Sequence, residues 1–332
     1  MLIPNTFNIP AHCSRLIEFE SNEALLSCYP DVAKAREDGK LLIIGRGSNL
    51  LPVGDYDGIV LRSRIMGKEV HEEGDDVFVK CGSGETVDDV IAWCVSHGYY
   101  GMENLSLIPG EVGASAVQNI GAYGVEAKDF ITLLHALDLN DGKVVEITNA
   151  ECEYAYRQSR FKHEWKNRFV ILDVTYRLSR VFVPHLDYGN IRSVLAERGI
   201  ENPTAQMLRD VIIAIRRDKL PDYEVEGNAG SFFMNPIVPM EKYRILAEQY
   251  PNMPHYPIDA DHEKIPAGWM IDQCGWKGRT VGRAGVHAKQ ALVLVNRGGA
   301  TGEEVVNLCH LIQEDVKSKF GIEIKPEVNI CG

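Results

Sequence analysis

The chain has 332 residues, the length of two domains or of one large domain with an insertion. With 45% hydrophobic and 25% charged residues, its composition is that of an ordinary globular protein, which excludes a low-complexity or largely disordered chain. The formal net charge of −12 disfavours nucleic-acid binding, because such proteins normally present a basic face.

The chain contains no signal-peptide pattern and no run of about eighteen apolar residues, so we expect a cytoplasmic protein without a membrane partner. The eight cysteines form no CxxC pair and several lie in apolar stretches, which predicts reduced, mostly buried thiols. The ten histidines include no HExxH pattern, so we expect no metal site. We also expect a monomer that binds a small molecule.

The first half of the chain joins short apolar strands through glycine-rich turns. Thr86 is the predicted N-cap of an amphipathic helix that ends at His97. A segment rich in glycine and alanine then runs from Pro109 to Gly124. The predicted strands are 41–44, 58–61 and 77–81. The first strand leads into a glycine turn at 45–49, and the third leads into a second glycine turn at 82–84.

The second half of the chain is more helical. Thr301 and Glu304 form a capping box for a long helix that ends at Phe320, before Gly321. The other predicted elements are strands at 131–139, 169–177 and 322–330, a helix at 204–219 that bridges two domains, and short helices at 240–248 and 266–274.

The glycine-rich segments allow two interpretations. Glycine and alanine leave backbone N–H groups uncovered, so these segments either hold a phosphate-bearing ligand or form tight turns and close packing contacts. None of them fits the context of a GxGxxG or GxxxxGK[ST] motif, so Rossmann and P-loop sites are excluded. Three such turns in one region favour a dinucleotide cofactor.

Several motifs are similar to those of one known family. They are IGRGSNLL at 44–51, IPG at 108–110, QNIGAYG at 118–124, YRQSRF at 156–161, GSFFMNP at 230–236, AGWMID at 267–272 and PEV at 326–328. In these motifs the chain closely resembles the UDP-N-acetylenolpyruvoylglucosamine reductases, flavoenzymes that make UDP-N-acetylmuramate for bacterial peptidoglycan. The insertion near Tyr188 resembles the longer-loop subgroup, which has a tyrosine in a substrate lid.

The resemblance implies an α+β fold, with an FAD-binding domain of the vanillyl-alcohol-oxidase (PCMH) type followed by a smaller α+β substrate-binding domain. It implies FAD as cofactor and NADPH as reductant. We expect the FAD to be non-covalent, because the first glycine turn has no histidine nearby. The expected domains are 1–180 for FAD (lobes at about 1–65 and 66–180), 181–203 for the lid, 204–320 for the substrate, and 321–332 for a strand with Glu327.

The resemblance also assigns binding residues. For FAD they are Gly45, Arg46, Gly47, Ser48, Asn49, Leu50, Pro109, Gly110, Gly113, Ala114, Ser115, Gln118, Asn119, Gly121, Ala122 and Tyr123. For the substrate they are Tyr156, Tyr188, Arg216, Lys219, Asn235 and Gln290. On this interpretation, bulky replacements of Gly113 or Gly121 reduce flavin retention before they reduce folding.

The family reaction transfers hydride from the flavin N5 to the vinyl carbon of an enolpyruvyl ether, which leaves a carbanion beside a carboxylate. Such a carbanion needs fixed donors and a positioned acid. The resemblance assigns three catalytic roles. Ser231 is the proton donor, Arg157 binds the substrate carboxylate through its planar guanidinium, and Glu327 forms a hydrogen bond with the intermediate. The flanking residues place Ser231 in an apolar, water-poor setting. Without the resemblance, these residues fit a turn serine, a surface ion pair and a solvated strand position.

Two other function classes remain. A flavin oxidase or dehydrogenase of the same fold, acting on a sugar or alcohol, would use a base to remove a proton. A non-catalytic flavin or nucleotide-sugar binder would need no acid. Ser231 and Glu327 together favour the reductive direction, because that chemistry supplies a proton.

Overall fold

The structure is a computed structural model that describes residues 1–332 and divides into two compact units. The first unit comprises Met1–Ile3, Cys13–Arg46 and Asp57–Arg217. The second comprises Pro4–His12, Gly47–Tyr56 and Asp218–Gly332. Two short segments from the start of the chain therefore belong to the same unit as its C-terminal third.

The helices and strands have the following bounds. The helices are α1 (Asn22–Glu37), α2 (Val87–Ser96), α3 (Val112–Gln118), α4 (Ile191–Glu197), α5 (Ala205–Lys219), α6 (Met240–Gln249), α7 (Ala267–Gln273) and α8 (Gly302–Phe320). The strands are β1 (Cys13–Phe19), β2 (Leu41–Ile44), β3 (Leu50–Pro52), β4 (Tyr56–Ser63), β5 (Lys68–Glu73), β6 (Asp76–Gly82), β7 (Gly121–Ala122), β8 (Val125–Glu126), β9 (Ile131–Asp138), β10 (Lys143–Thr148), β11 (Phe169–Ser179), β12 (Asn228–Ser231), β13 (Ile237–Pro239), β14 (Tyr256–Pro257), β15 (His262–Lys264), β16 (Thr280–Val281), β17 (Ala284–Val286), β18 (Val293–Asn296) and β19 (Asn329–Cys331).

Most predicted elements are confirmed at these bounds. The capping box of α8 has both reciprocal hydrogen bonds, between Thr301 and Glu304, and Gly321 ends the helix in the left-handed region at φ 62°. The strand predicted over 322–330 is wrong in extent, since only Asn329–Cys331 is extended in a ladder. Pro326 lies in the missing part and has no N–H to donate.

The first unit contains two larger sheets besides the two-stranded hairpin of β7 and β8. One has the order β1-β4-β2, with β2 parallel to β4, and the other has the antiparallel order β10-β9-β11-β6-β5. The short helix α3 packs against β11 and β6. This places the glycine- and alanine-rich segment directly on the larger sheet.

The segment 181–203 contains α4 and packs on α5. Ile191 and Leu195 of α4 are buried against Leu208 and Ile212 of α5. Tyr123 lies at the edge of this cluster. The inserted segment therefore shares a small hydrophobic core with α5.

The second unit is built around a four-stranded antiparallel sheet in the order β12-β18-β17-β16, with α8 against β17 and β18. The segment Pro4–His12 belongs here because Phe7 is fully buried against Phe232. The backbone of this segment is also bonded, since Asn296 Nδ2 donates to Phe7 O at 2.9 Å and Asn228 N donates to Thr6 O at 2.9 Å.

None of the helices combines the length and the apolar character that a bilayer crossing would require. All eight cysteines are free thiols, and none is fully exposed.

Candidate active site

The first glycine turn lies beside α3 in the first unit. A Cβ atom on Gly45 would lie 3.0 Å from Glu111 Oε2 and 3.1 Å from the Cβ of Ala114. Glu111 is buried, and Arg62 Nη2 donates to its Oε1 at 2.5 Å. Burial raises the pKa of Glu111, and the Arg62 guanidinium opposes this shift. The structure thus brings the first turn and the glycine- and alanine-rich segment together.

The second glycine turn is hydrogen-bonded to the first residues of α3. Gly113 N donates to Ser83 O at 2.9 Å, and Val112 N donates to Glu85 O at 2.9 Å. A Cβ atom on Gly113 would lie 2.9 Å from the Cβ of Ser83, closer than side chains tolerate. The Ser115 hydroxyl donates to Val112 O at 2.7 Å within the helix. Packing therefore accounts for Gly113 and Ser115.

One side of α3 is left uncovered. Ala114 is exposed although its neighbours Gly113 and Ser115 are buried. Gln118 follows one helical turn later and therefore shares this side of the helix, where it is half-buried. The small Ala114 side chain leaves room above the helix for a ligand.

Arg157 is fixed by the backbone that follows α3. Its Nη2 donates to Gly121 O at 2.6 Å and its Nη1 donates to Asn119 O at 3.4 Å. The guanidinium lies 5.1 Å from the ring of Tyr156. Asn119 is held in the left-handed region at φ 47°, and its side chain bonds Glu126 Oε2 at 3.0 Å. The resulting geometry keeps a cationic fork in place before any ligand binds.

Tyr123 forms the tip of the β7–β8 hairpin, with a φ of 49°, and Ala122 precedes it in β7. Its ring meets that of Tyr188 edge-on, with 6.4 Å between ring centroids. The Tyr123 hydroxyl interacts with Arg216. The positive charge of Arg157 is close enough to repel the guanidinium of Arg216 and to lower its pKa. The first unit thus gathers Tyr123, Arg157, Tyr188 and Arg216.

Arg216 has an unmet hydrogen-bonding requirement. Its Nε is buried and has no hydrogen-bond partner within the protein. Burial lowers the pKa of Arg216, whereas the Tyr123 hydroxyl and the Asp88 carboxylate act in the opposite direction. A buried donor without a partner is costly, so an anionic ligand group fits this position.

The rest of the first glycine turn belongs to the second unit. Gly47 has φ 74°, and a Cβ atom there would lie 2.0 Å from Pro4 O, so only glycine fits. Ser48 is half-buried, and Leu50 is buried at the start of β3. Asn49 Nδ2 donates to Glu327 O at 3.2 Å. The turn is therefore tied to the C-terminal segment of the chain.

Ser231 and Glu327 lie on adjacent segments of the second unit. Glu327 N donates to Phe232 O at 2.8 Å, and Phe233 forms an isolated antiparallel bridge with Pro326. The side chain of Glu327 is half-buried. Main-chain bonds thus hold two of the three predicted catalytic residues next to each other.

The side chain of Ser231 is exposed, so the expectation of an apolar, water-poor setting is wrong for this structure. Gly230 has φ 69° and accompanies a register shift between β12 and β18. Such a bulge re-aims the next side chain. Phe232 and Phe233 fill the core, whereas Ser231 faces outwards.

The remaining predicted residues occupy varied positions. Asn235 Oδ1 accepts the N–H of Ala267 at 2.9 Å at the start of α7. Gln290 Oε1 accepts the N–H of Leu292 at 3.3 Å. Lys219 is exposed at the end of α5. In the first unit, Arg46 and Pro109 are half-buried and Gly110 is buried. The carbonyl of Gly110 accepts the N–H of Val87 at 3.1 Å.

Sequence reasoning missed a supporting set of polar residues in the first unit. Asp88 bonds Arg209 through both carboxylate oxygens, at 2.6 and 3.1 Å, and also accepts the N–H of Leu107 at 2.6 Å. Asn104 bonds two distant backbone carbonyls. The partners are far away in sequence, so no local signal could have indicated them.

Two family descriptions match the chain. Residues 16–148 match a family described as an FAD binding domain, and residues 221–331 match the C-terminal domain of UDP-N-acetylenolpyruvoylglucosamine reductase. The predicted fold class, an FAD-binding domain followed by a smaller α+β domain, is confirmed.

Whole-length relatives agree with these matches. The chain is 51% identical over 330 residues to a UDP-N-acetylenolpyruvoylglucosamine reductase of Bacteroides fragilis, covering 99% of this chain and 98% of that protein. It is 48% identical over 328 residues to one from Pseudomonas aeruginosa, covering 98% and 96%. A solved UDP-N-acetylenolpyruvylglucosamine reductase of Thermus caldophilus shares the fold, with a TM-score of 0.68 at 21% identity, covering 99% of this chain and 96% of that one.

Proposed function

The chain belongs to the UDP-N-acetylenolpyruvoylglucosamine reductase family, and we propose that it reduces the enolpyruvyl ether of UDP-N-acetylglucosamine enolpyruvate to UDP-N-acetylmuramate, with electrons from NADPH. It is an FAD-dependent oxidoreductase of peptidoglycan precursor synthesis. The observation that carries the proposed chemistry is the main-chain pairing that places Ser231 beside Glu327.

The residues of the first unit fit a bound FAD. The small side chain of Ala114 is exposed beside Gly45, so it leaves room there for a ring system of the cofactor. The buried Nε of Arg216, which has no protein partner, fits an anionic group of the cofactor or of the substrate. Gln118, on the same side of α3 as Ala114, offers an amide for polar groups of the cofactor.

When bound, FAD supplies the hydride that adds to the vinyl carbon. Arg157 meets the substrate carboxylate with a planar fork, so that charge developing there is stabilised. Because Gly121 O and Asn119 O already orient this guanidinium, little reorganisation is needed. Arg157 thus lowers the cost of the negative charge.

Ser231 then donates the proton that completes the reduction. Its hydroxyl is a weak acid and can serve only against a strongly basic carbon, as the carbanion beside the carboxylate is. Glu327, on the neighbouring segment, is the proposed hydrogen-bond donor to the intermediate. The exposed position of Ser231 makes its Oγ accessible to a bound substrate.

We further propose that the protein works as a monomer in the cytoplasm without nucleic-acid or membrane partners, and that the FAD is bound non-covalently. The net charge of −12 supports the absence of nucleic acid. The eight free thiols fit a reducing compartment.

The test is to purify the protein, record its flavin absorbance, and follow NADPH oxidation with and without the enolpyruvyl sugar nucleotide. We expect a yellow protein whose NADPH oxidation depends on that substrate. A colourless protein, or NADPH oxidation indifferent to the substrate, would contradict the proposal. Oxygen consumption with a sugar or alcohol instead would indicate a flavin oxidase.

A further inference from the structure

Asn104 occupies a position that the proposed reaction does not explain. It lies in a 3-10 turn at Glu103–Leu105 and is 1% exposed. Its Nδ2 donates to Tyr123 O at 2.8 Å and to His185 O at 3.0 Å. One amide group therefore bonds two backbone segments that lie 19 and 81 residues away in sequence.

Both acceptors carry tyrosines of the candidate site. Tyr123 forms the hairpin tip, and its ring contacts Tyr188, which lies three residues after His185. A Cβ atom on Gly124 would lie 3.4 Å from the Cβ of Tyr188, so the two segments also pack closely. The Tyr123 hydroxyl in turn interacts with Arg216.

The chemistry of this bridge requires an amide. An asparagine NH₂ group has two protons and can donate to two carbonyl oxygens at once. An aspartate would place a buried carboxylate against two carbonyl oxygens, and a leucine of similar volume would leave both carbonyls without this donor. The turn that presents Asn104 is itself anchored, because Leu107 N donates to Asp88 Oδ1 at 2.6 Å with Leu107 at φ 59°.

Most residues around Tyr188 in the 181–203 segment are exposed to solvent. Tyr188 is 40% exposed, and the adjacent ion pair between Asp187 and Arg192 is solvent-exposed. Exposed ion pairs contribute little to holding a loop. The bond from Asn104 to His185 O is part-buried and its donor residue is 1% exposed, so it constrains this part of the segment more strongly than the exposed ion pair does.

We propose that Asn104 is a positioning residue for substrate binding, which ties the Tyr123 hairpin to the segment that carries Tyr188. This rests on the proposed function and on the role that the family resemblance implies for Tyr188, as the tyrosine of a substrate lid. In this proposal Asn104 acts through the two backbone segments that it bonds.

The test compares Asn104→Leu with Asn149→Leu in the flavin-loaded enzyme. Asn149 is a matched control, because its Nδ2 also donates to two backbone carbonyls, of Lys128 and Ile131, both at 2.8 Å. We expect Asn104→Leu to raise the KM for the sugar nucleotide by about tenfold, as loss of two hydrogen bonds predicts. We expect the rate of flavin reduction by NADPH to stay within about twofold, since the sugar nucleotide takes no part in that step.

A second readout does not depend on turnover. Hydrogen exchange of backbone amides in 183–190 should accelerate by about tenfold in Asn104→Leu and stay unchanged in Asn149→Leu. Unchanged exchange and an unchanged KM would overturn the proposal. If the wild-type enzyme shows no activity with the sugar nucleotide, the proposed function fails, while the exchange experiment still decides whether Asn104 holds the segment.

Asn104→Ser covers the case in which the leucine variant does not fold. Serine is smaller, removes the double donor and leaves room for a water molecule. A folded serine variant with raised KM and faster exchange supports positioning. Loss of folding or of flavin in both variants would show a merely structural role and overturn the proposal.

Discussion

The two units hold their candidate catalytic residues by different means. In the first unit, Arg157 is fixed by its own side-chain bonds to Gly121 O and Asn119 O. In the second, Ser231 and Glu327 are placed by main-chain contacts, and the hydroxyl of Ser231 faces outwards. A side-chain substitution should therefore disturb local structure in the first unit, whereas in the second it should remove a chemical group from an intact framework.

The largest expected effect concerns the second unit, where a substitution should remove a chemical group and leave the framework intact. Ser231→Ala should lower kcat by about a hundred- to ten-thousand-fold, the range for loss of a positioned acid. Flavin reduction by NADPH and the urea midpoint should be unchanged, because the exposed hydroxyl does not contribute to packing. Ser27→Ala, at an exposed position in α1, is the control. Full turnover in Ser231→Ala would refute its role as acid.

Arg157→Lys tests the first unit, where the side chain of Arg157 also holds local structure. We expect kcat/KM to fall by about a hundredfold, because an ammonium group cannot replace a planar fork. Unlike Ser231→Ala, this variant should also lower the free energy of unfolding by about 1 kcal/mol, through the lost bonds to the hairpin. Arg177→Lys, in an exposed pair with Asp76, is the comparison. If both arginine variants behave alike in stability and turnover, the contrast between the units fails.

Gly113→Ala asks whether the glycine- and alanine-rich segment is limited by packing or by the cofactor. A methyl group there meets Ser83, so we expect the free energy of unfolding to fall by about 2 kcal/mol, measured on flavin-free protein. Gly54→Ala, where a Cβ would meet nothing within 4 Å, is the control. The double variant Ser83→Gly, Gly113→Ala should recover part of the loss. Loss of flavin with unchanged stability would instead favour a ligand contact.

The smallest expected effect concerns Glu103, which supports the same turn as Asn104. Burial raises the pKa of Glu103, while the N–H of Gly101 opposes the shift. A carboxyl group with a raised pKa in the folded state contributes stability at low pH that is lost as pH rises through that pKa. As the pH rises above the ordinary glutamate pKa of about 4.3, the urea midpoint of the wild type should therefore fall relative to that of Glu103→Gln. Equal pH slopes would contradict this assignment.

Much of the chain was predictable because its signals are local. The Thr301 capping box, the Gly321 stop and the strands beside the glycine turns depend on residues a few positions apart. The seven motifs between 44–51 and 326–328, taken together, indicated the family. Contiguous sequence carries this information because hydrogen bonds within a turn or helix end connect near neighbours.

The tertiary structure decided what depends on distant partners. It placed Pro4–His12 in the second unit through burial of Phe7, assigned Gly113 to packing against Ser83, and turned Ser231 outwards through the bulge at Gly230. It also gave Asn104 two acceptors from segments far along the chain. These outcomes depend on which surfaces meet after folding, and the pattern of a single segment does not contain that information.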